Sequence, residues 1–460
     1  MTEGLAFGPG AAVHFVGIGG AGMSAIAKVL LERGVEVSGS DLKASRPATL
    51  LESMGARVHV GHDAAQIAGA GVVVVSSAIP ERNPELQAAR DAGIRVVTRG
   101  EALAAVLAGS QSIVVAGTHG KTTTTSMIVS VLRAAGRDPT YLVGGGLNDA
   151  GTNARSGTDE VAVAESDESD GSFLLLEPFV SVVTNVEPDH VDYWASDADL
   201  KDAFRRFVGA TTGAAIAPAA QPEISGWAKD AGVRCVTFGG GDGEVRAEEV
   251  RFGPGVVAFE LVTGDARHAV ELRVPGAHNV SNALAAAAAC LEAGLDPGAV
   301  ARGLGEYRGV ERRWQVRGHA GGVTVIDDYA HHPTEVRATL GAARPGPWER
   351  VVAVFQPHRY SRTKAFAADF GSAFEGADRV VVTDVYGAGE EPVPGVTGKL
   401  VADAVCRAYP GRPVAYLPHR DELLSYLAAT ARSGDAVLTL GAGDVTTVGE
   451  ELLARIGAGL

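Results

Sequence analysis

This sequence predicts an α/β chain of several units built on parallel sheets, and three observations lead there. Short apolar runs alternate with helical stretches along the whole length, the pattern of parallel strands joined by crossover helices. Two of those runs open directly into glycine-rich loops followed by helical stretches. The chain has 460 residues, roughly three times an ordinary domain of ~150 residues, so two or three cores with clefts between them are expected.

The elements follow in order. Val13 to Ile18, Val35 to Ser38 and Val72 to Ser76 form a first group of strands that closes near Arg99 to Gly109. Ile113 to Ala116, Val161 to Ala164 and Val180 to Thr184 form a second group. Pro- and Gly-rich interruptions follow around residues 214–222 and 239–243, then a helix from near His278 with the alanine run Ala285 to Ala289. A further boundary falls within Gly303 to Gly318, and the alternation resumes through Val323 to Ile326, Val351 to Phe355, Val380 to Thr383 and Ala436 to Leu440.

Composition excludes several classes. At 46% hydrophobic and 21% charged residues, the chain is close to globular averages and is not largely disordered. Sixty glycines without a G-X-Y period belong in turns and close backbone approaches. A net charge of −15 opposes binding to nucleic acid or to an anionic membrane surface. The three cysteines, Cys235, Cys290 and Cys406, are far apart, which indicates neither a disulfide framework nor a cysteine zinc site. The first twelve residues carry no Lys or Arg, and no apolar run reaches the ~18 residues of a membrane helix. The expectation is a cytoplasmic protein without membrane insertion or a nucleic-acid partner.

The first glycine loop reads Gly17-Ile18-Gly19-Gly20-Ala21-Gly22, with Asp41 ending the next strand. A strand running through glycines into a helix presents backbone N–H groups and a positive dipole end to a diphosphate. Taken alone, the pattern fits a dinucleotide and hydride transfer, or a tight turn with no ligand. The second loop, Gly117-Thr118-His119-Gly120-Lys121-Thr122-Thr123-Thr124, is a shortened G-K-T phosphate loop with Val115 where the longer motif has its first glycine. Its ammonium suits β/γ-phosphates and its hydroxyl a magnesium ion. Only seven lysines occur in the chain, so Lys121 in this loop carries weight.

Glu165, Asp167, Glu168 and Asp170 then place four carboxylates in six positions. Such a run is commonly a solvated face, but Glu165 ends an apolar strand beside the second loop and could hold magnesium. Asn185-Val186-Glu187-Pro188-Asp189-His190 follows another buried-looking strand; His190 suits a metal, a phosphate or a capped core position. Asn279 and Asn282 share one face of a helix start, where they could read a purine, or Asn279 could cap the helix. Asp328-Tyr329-Ala330-His331 and His358-Arg359-Tyr360-Ser361-Arg362 stand at strand ends, where α/β sheets bind ligands, and each arginine could fork onto a carboxylate.

Together the segments HFVGIGGAGMS, SSAIPERNPE, AGTHGKTTTT, GGGLNDAGTNA, AESDESDGSF, TNVEPDHVDY, VPGAHNVSNA, DDYAHHPTE, QPHRYSRT and LGAGDV resemble, in order and across essentially the whole chain, the Mur ligases of peptidoglycan synthesis. The resemblance is strongest to members that add L-alanine to UDP-N-acetylmuramate. It implies a Rossmann-like UDP-sugar domain over 1–108, a central P-loop ATPase domain with a parallel sheet over 109–316, and a Rossmann-like C-terminal domain over 317–460 that closes over ATP and receives the amino acid. It implies that Gly17, Gly19, Gly20 and Gly22 hold the UDP diphosphate, with His62 and Ser76 nearby.

By the same resemblance, Gly117, Thr118, His119, Gly120, Lys121, Thr122 and Thr123 hold the ATP phosphates. Thr122, Glu165 and His190 take Mg2+ or Mn2+, and Lys121, Glu165 and His190 are the catalytic set. His278, Asn279 and Asn282 receive adenine, Asp328 the ribose and Arg313 the phosphates, while Tyr329, His331, His358, Arg359 and Arg362 place L-alanine. Two departures stand out. Ala330 replaces a glycine, so its methyl is expected to restrict the backbone, and Phe204 stands where several relatives carry a carbamylated lysine, so no carbamate is expected.

Overall fold

A computed structural model describes residue 5 and residues 7–191 and 193–458. Three sheets are formed in chain order. The first comprises β1 (Ala12–Val16), β2 (Glu36–Asp41), β3 (Arg57–Val60), β4 (Val72–Val75) and β5 (Arg95–Thr98), all parallel in the order β3-β2-β1-β4-β5. The order reverses at β1, and the first glycine loop leaves the carboxyl end of that strand, where open parallel sheets form their ligand crevice.

The central sheet has ten strands: β6 (Gln111–Ala116), β7 (Thr140–Leu142), β8 (Ala154–Arg155), β9 (Val161–Glu165), β10 (Val180–Val183), β11 (Ala214–Pro218), β12 (Arg234–Phe238), β13 (Val245–Gly253), β14 (Val256–Thr263) and β15 (Ala266–Leu272). They run β15-β14-β13-β12-β11-β10-β6-β9-β7-β8. In the parallel part, β6, β9 and β10 are the strands that the apolar runs predict, whereas β7 and β12 add to them. Residues 214–222, expected as an interruption, form the buried strand β11 and the start of a helix, because Ala214 to Ala217 are apolar residues that fit a covered sheet. An antiparallel extension, β13 to β15, and the short antiparallel β8 are added to it. Burial alternates along β14, as one solvated sheet face requires, and Gly255 and Gly264 turn the two hairpins in left-handed conformations.

The third sheet contains β16 (Gln315–Ala320), β17 (Val323–Asp328), β18 (Arg350–Phe355), β19 (Arg379–Val382), β20 (Val414–Tyr416) and β21 (Asp435–Leu440), ordered β16-β17-β21-β18-β19-β20 with only β16 antiparallel. One apolar cluster runs from β1 and helix Ala21–Glu32 through to Val114, Leu142 and Phe204 of the central unit, so the first two units share a core. Ala283 to Cys290 are all essentially buried. Their small side chains let helix Ala277–Glu292 lie close against helix Lys121–Ala134, which carries the second glycine loop at its start. No helix among the described residues is long and apolar enough to cross a membrane.

Candidate active site between the three units

The second glycine loop leaves the carboxyl end of β6. Gly117 and Gly120 have φ of 134° and 82°, conformations that L side chains rarely adopt, and a Cβ on either would strike Thr184 or Asn282 respectively. Gly120 then caps helix Lys121–Ala134 with no side chain on its first N–H groups. Lys121 folds back over the loop: Nζ donates to Gly117 O at 2.7 Å and reaches Glu168 Oε1 and Oε2 at 3.0 and 2.8 Å. Burial opposes the ammonium charge, but Glu168 and Asp167 more than offset it and hold Lys121 above its ordinary range.

β9 runs beside β6 with Glu165 opposite Val115, which brings the carboxylate to the loop. Thr122 Oγ1 donates to Glu165 Oε1 at 2.7 Å and Gly144 N to Oε2 at 2.6 Å. Burial raises the pKa of Glu165. The acidic run is not a solvated face. Glu168 is 1% exposed, and Asp170 pairs with Arg99 of the first unit at 3.0 Å. His190 Nε2 lies 3.3 Å from Glu168 Oε1, and donor atoms of Asp167, Glu168 and His190 fall within 4.8 Å of one another. Burial works against protonation of His190, yet its pKa is raised, chiefly by Glu168 and Asp189.

Two cavities adjoin the loop. One, of about 390 Å³, is walled by His119, Gly120, Thr123, His278, Asn279, Asn282, Arg313 and Asp328. Gly276, not Asn279, caps the helix. Asn279 instead donates to Pro275 O at 2.7 Å and accepts from Asn282 at 3.3 Å. Asp328 accepts from Trp314 N and Ala330 N at 2.8 and 2.9 Å. Burial and Arg313 lower His278 to about 4, leaving it neutral near pH 7.

The other cavity, of about 530 Å³, is walled by all three units: Ala21, Gly22 and Arg99 from the first, Lys121, Thr122, Glu165, Asp167, Asp189 and His190 from the second, and Tyr329, His331, His358, Arg359 and Arg362 from the third. His331 and His358 face each other at 5.5 Å between ring centroids. Burial brings them down to about 3 and about 4, so both are neutral. His190, Arg312 and Arg359 of this wall, and Trp314 of the other cavity, hold positive φ, conformations that persist only where the surroundings enforce them.

Arg362 forks onto a carboxylate, but that of Asp189: Nε and Nη2 donate to Oδ1 and Oδ2 at 3.0 and 3.1 Å, with both side chains about 5% exposed. This pair joins the third unit to the second. Beside it, Thr334 Oγ1 donates to Glu187 Oε2 at 2.9 Å, and His119 lies between Glu187 and Glu335 at 3.5 and 3.4 Å. Although buried, His119 is raised to about 9 by these two carboxylates. The partners Glu168, Asp189, Glu187 and Glu335 carry no local signal beyond their place in polar segments at strand ends.

The first loop is drawn together with its expected neighbours. Gly17 N and Ile18 N donate to Ser40 O at 2.8 and 2.9 Å, and a Cβ on Gly17 would lie 3.8 Å from Ser76 Oγ. His62 sits behind, 2.9 Å from both Ser40 Oγ and Glu85 Oε2. Of the loop glycines, only Gly22 reaches the larger cavity. Asp41, the acid that a dinucleotide reading would place on a ribose, accepts Gly19 N–H at 2.9 Å and closes the loop on itself. Ala330 lies fully buried outside the left-handed region, so its methyl packs into the core without straining the backbone.

Family models match three stretches: "Mur ligase family, catalytic domain" over residues 12–111, "Mur ligase middle domain" over 115–290 and "Mur ligase, glutamate ligase domain" over 312–443. The chain is 50% identical to the UDP-N-acetylmuramate--L-alanine ligase of Rubrobacter xylanophilus, covering 96% of this chain and 100% of that one. It is 51% identical to the enzyme of the same name from Kineococcus radiotolerans, covering 96% and 95%. Its fold is similar to the crystal structure of UDP-N-acetylmuramate-alanine ligase from Thermotoga maritima, with a TM-score of 0.82, 30% identity and coverage of 98% and 100%. It is less similar to a murein peptide ligase from Psychrobacter arcticus, with a TM-score of 0.72, 25% identity and coverage of 97% and 99%. These matches disfavour both an oxidoreductase and a murein-peptide ligase, and they agree with the two glycine loops and the three-walled cavity: the chain belongs to the Mur ligase family.

Proposed function

We propose that this chain joins L-alanine to the lactyl carboxylate of UDP-N-acetylmuramate with ATP as phosphoryl donor, in the cytoplasm, as a step of peptidoglycan precursor synthesis. The observation that carries this reading is the cavity of about 530 Å³, in which the glycine loop, the phosphate loop and the histidine–arginine cluster of three different units open onto one space. The units over 1–108, 109–316 and 317–460 would bring the sugar nucleotide, ATP and the amino acid.

A carboxylate oxygen of the sugar acid attacks the γ-phosphorus, the bond to the β-phosphate oxygen breaks, and ADP leaves. The amine of alanine then attacks the acyl carbon, forms the amide and releases phosphate, giving up its proton. Two anions must approach in the first step, so positive charge has to be in place beforehand. Lys121 is fixed for this at the loop, and Arg313 lies between the two cavities. The neutral Asn279 and Asn282 offer amides to adenine, with Asp328 beside the ribose. His331, His358 and Tyr329 shape the amino-acid end and Arg359 and Arg362 lend it positive charge, Arg362 while still paired with Asp189.

The hydroxyl and carboxylate oxygens of Thr122 and Glu165, and His190 with the adjacent Asp167 and Glu168, are a donor set that fits Mg2+ or Mn2+. Bound there, the ion would neutralise phosphate charge and orient the attacking oxygen. ADP release measured with UDP-N-acetylmuramate and L-alanine, singly and together, tests the reading. Turnover should require both substrates and a divalent cation. Faster turnover with a murein tripeptide than with L-alanine, or NADH binding in place of the sugar nucleotide, would overturn it.

A further inference from the structure

One carboxylate stands where the two cavities meet. Gly120, Arg313 and Glu335 line both, and Glu335 is the one acid among them. Its Oε2 accepts the backbone N–H groups of His331 and His332 at 3.0 and 3.3 Å, completing a capping box at the start of helix Pro333–Ala343. This fixes the carboxyl group in place. Oε1 then points away from the helix, 3.4 Å from His119 Nδ1 and 3.7 Å from Arg313 Nη1, while His331 Nδ1 lies 3.2 Å from Oε2.

A capping box needs an oxygen acceptor but no charge. A buried anion in that role is costly unless it is paired, and Glu335 faces positive groups from two places, His119 of the phosphate loop and Arg313 before β16, while the neutral His331 of the third unit lies against its other oxygen. Burial alone would raise its pKa; the charged His119 and Arg313 hold it well below the ordinary range. Those neighbours face different cavities, with His119 on the smaller one and His331 beside His358 and Tyr329 on the larger.

We propose that Glu335 is a positioning residue that couples the nucleotide chamber to the amino-acid chamber, holding His119 and Arg313 toward the phosphates and His331 toward the amino acid. This rests on the assignment of the two chambers made above. A triphosphate drawing on Arg313 and His119 competes for the partners of a fixed carboxylate that also holds His331, so ATP strengthens amino-acid binding and, by reciprocity, the amino acid strengthens ATP binding.

The test uses Glu335→Gln, which keeps an oxygen for the capping box and removes the charge. In steady state kcat/KM for L-alanine and for ATP should each fall about 100-fold, the cost of a small misplacement of reacting groups, while KM for UDP-N-acetylmuramate stays unchanged. In a His119→Gln background the second substitution should add little, since the two side chains act through one contact. Calorimetric titration of the full chain should find L-alanine binding strengthened by a non-hydrolysable ATP analogue in the wild type and not in the variant. Wild-type kinetics in Glu335→Gln, an equal loss for all three substrates with a lowered melting temperature, or additive effects of the two substitutions would overturn the proposal. If the wild type forms no amide, the proposed function fails on its own, and the presence or absence of linkage between analogue and L-alanine still decides this inference.

Discussion

Replacing Asp189 with asparagine removes one charge from a buried, forked ion pair and leaves the other in place. Arg362 donates to Asp189 at 3.0 and 3.1 Å, and its Nη1 lies 3.1 Å from His358 Nδ1, itself neutral and uncompensating. With both side chains about 5% exposed, water does not take over the lost role. Breaking a buried pair in this way costs about 3–5 kcal/mol, whereas an exposed pair such as Lys399–Asp403 is worth about 0–1 kcal/mol. Because the pair joins the second and third units, the loss should fall on their docking: roughly a hundredfold or more in the equilibrium between docked and undocked arrangements.

The assays are denaturant unfolding and the KM for L-alanine at low and high salt. Asp189→Asn should destabilise docking and raise that KM, with little salt dependence, since buried charges are poorly screened. Arg362→Lys should recover only part, because an ammonium cannot fork. The pH dependence has a definite sign. Burial opposes the Asp189 charge, but Arg362 and then His190 pull its pKa well below the ordinary carboxyl range. Its contribution is therefore present above the unfolded value of about 3.9 and lost as pH falls below it. A variant within about 1 kcal/mol of the wild type, or one whose defect disappears in salt, would refute the reasoning.

Lys121→Ala should lower kcat for ADP formation by about 100- to 1000-fold, because it removes the fixed cation and leaves the buried carboxylate of Glu168 facing His190 without its lysine; trapping the acyl phosphate with hydroxylamine locates the loss in the first step. Ala330→Gly should destabilise the third unit by about 1 kcal/mol, from a lost buried methyl and added chain entropy, with kinetic constants unchanged, as read by thermal melting beside steady-state assays. Phe204 is fully buried with its ring 5.0 Å from that of Phe173, and the nearby Lys201 points outward to Asp197. Added bicarbonate should therefore leave phosphate release unchanged, and a strong dependence would mean that another residue carries a carbamate.

How much could be read along the chain depended on how local the physics was. β1, β6, β10, β18 and β21 stand out as apolar runs because both faces of their sheets are covered. β13 to β15 were not read, since their one-sided burial gives a weaker alternation. The phosphate loop was legible because glycines, a lysine and tandem threonines form a backbone cradle within eight residues. Ala330 was misjudged because a missing glycine was weighed without its φ. The partners of charged side chains were out of reach: Arg362 meets Asp189 across 173 residues, and the forked carboxylate expected of it turned out to be internal.

The amino-acid order by itself determined three α/β units, two glycine-rich strand-to-helix loops and the family to which the chain belongs, because apolar periodicity and glycine conformation act over a few neighbouring residues. Tertiary structure alone decided that Glu168 rather than solvent faces Lys121, that Asp41 closes the first loop, and that Glu335 lies between two chambers. Such pairings follow from which surfaces exclude water when separate units pack together, and that is a property of the assembled chain.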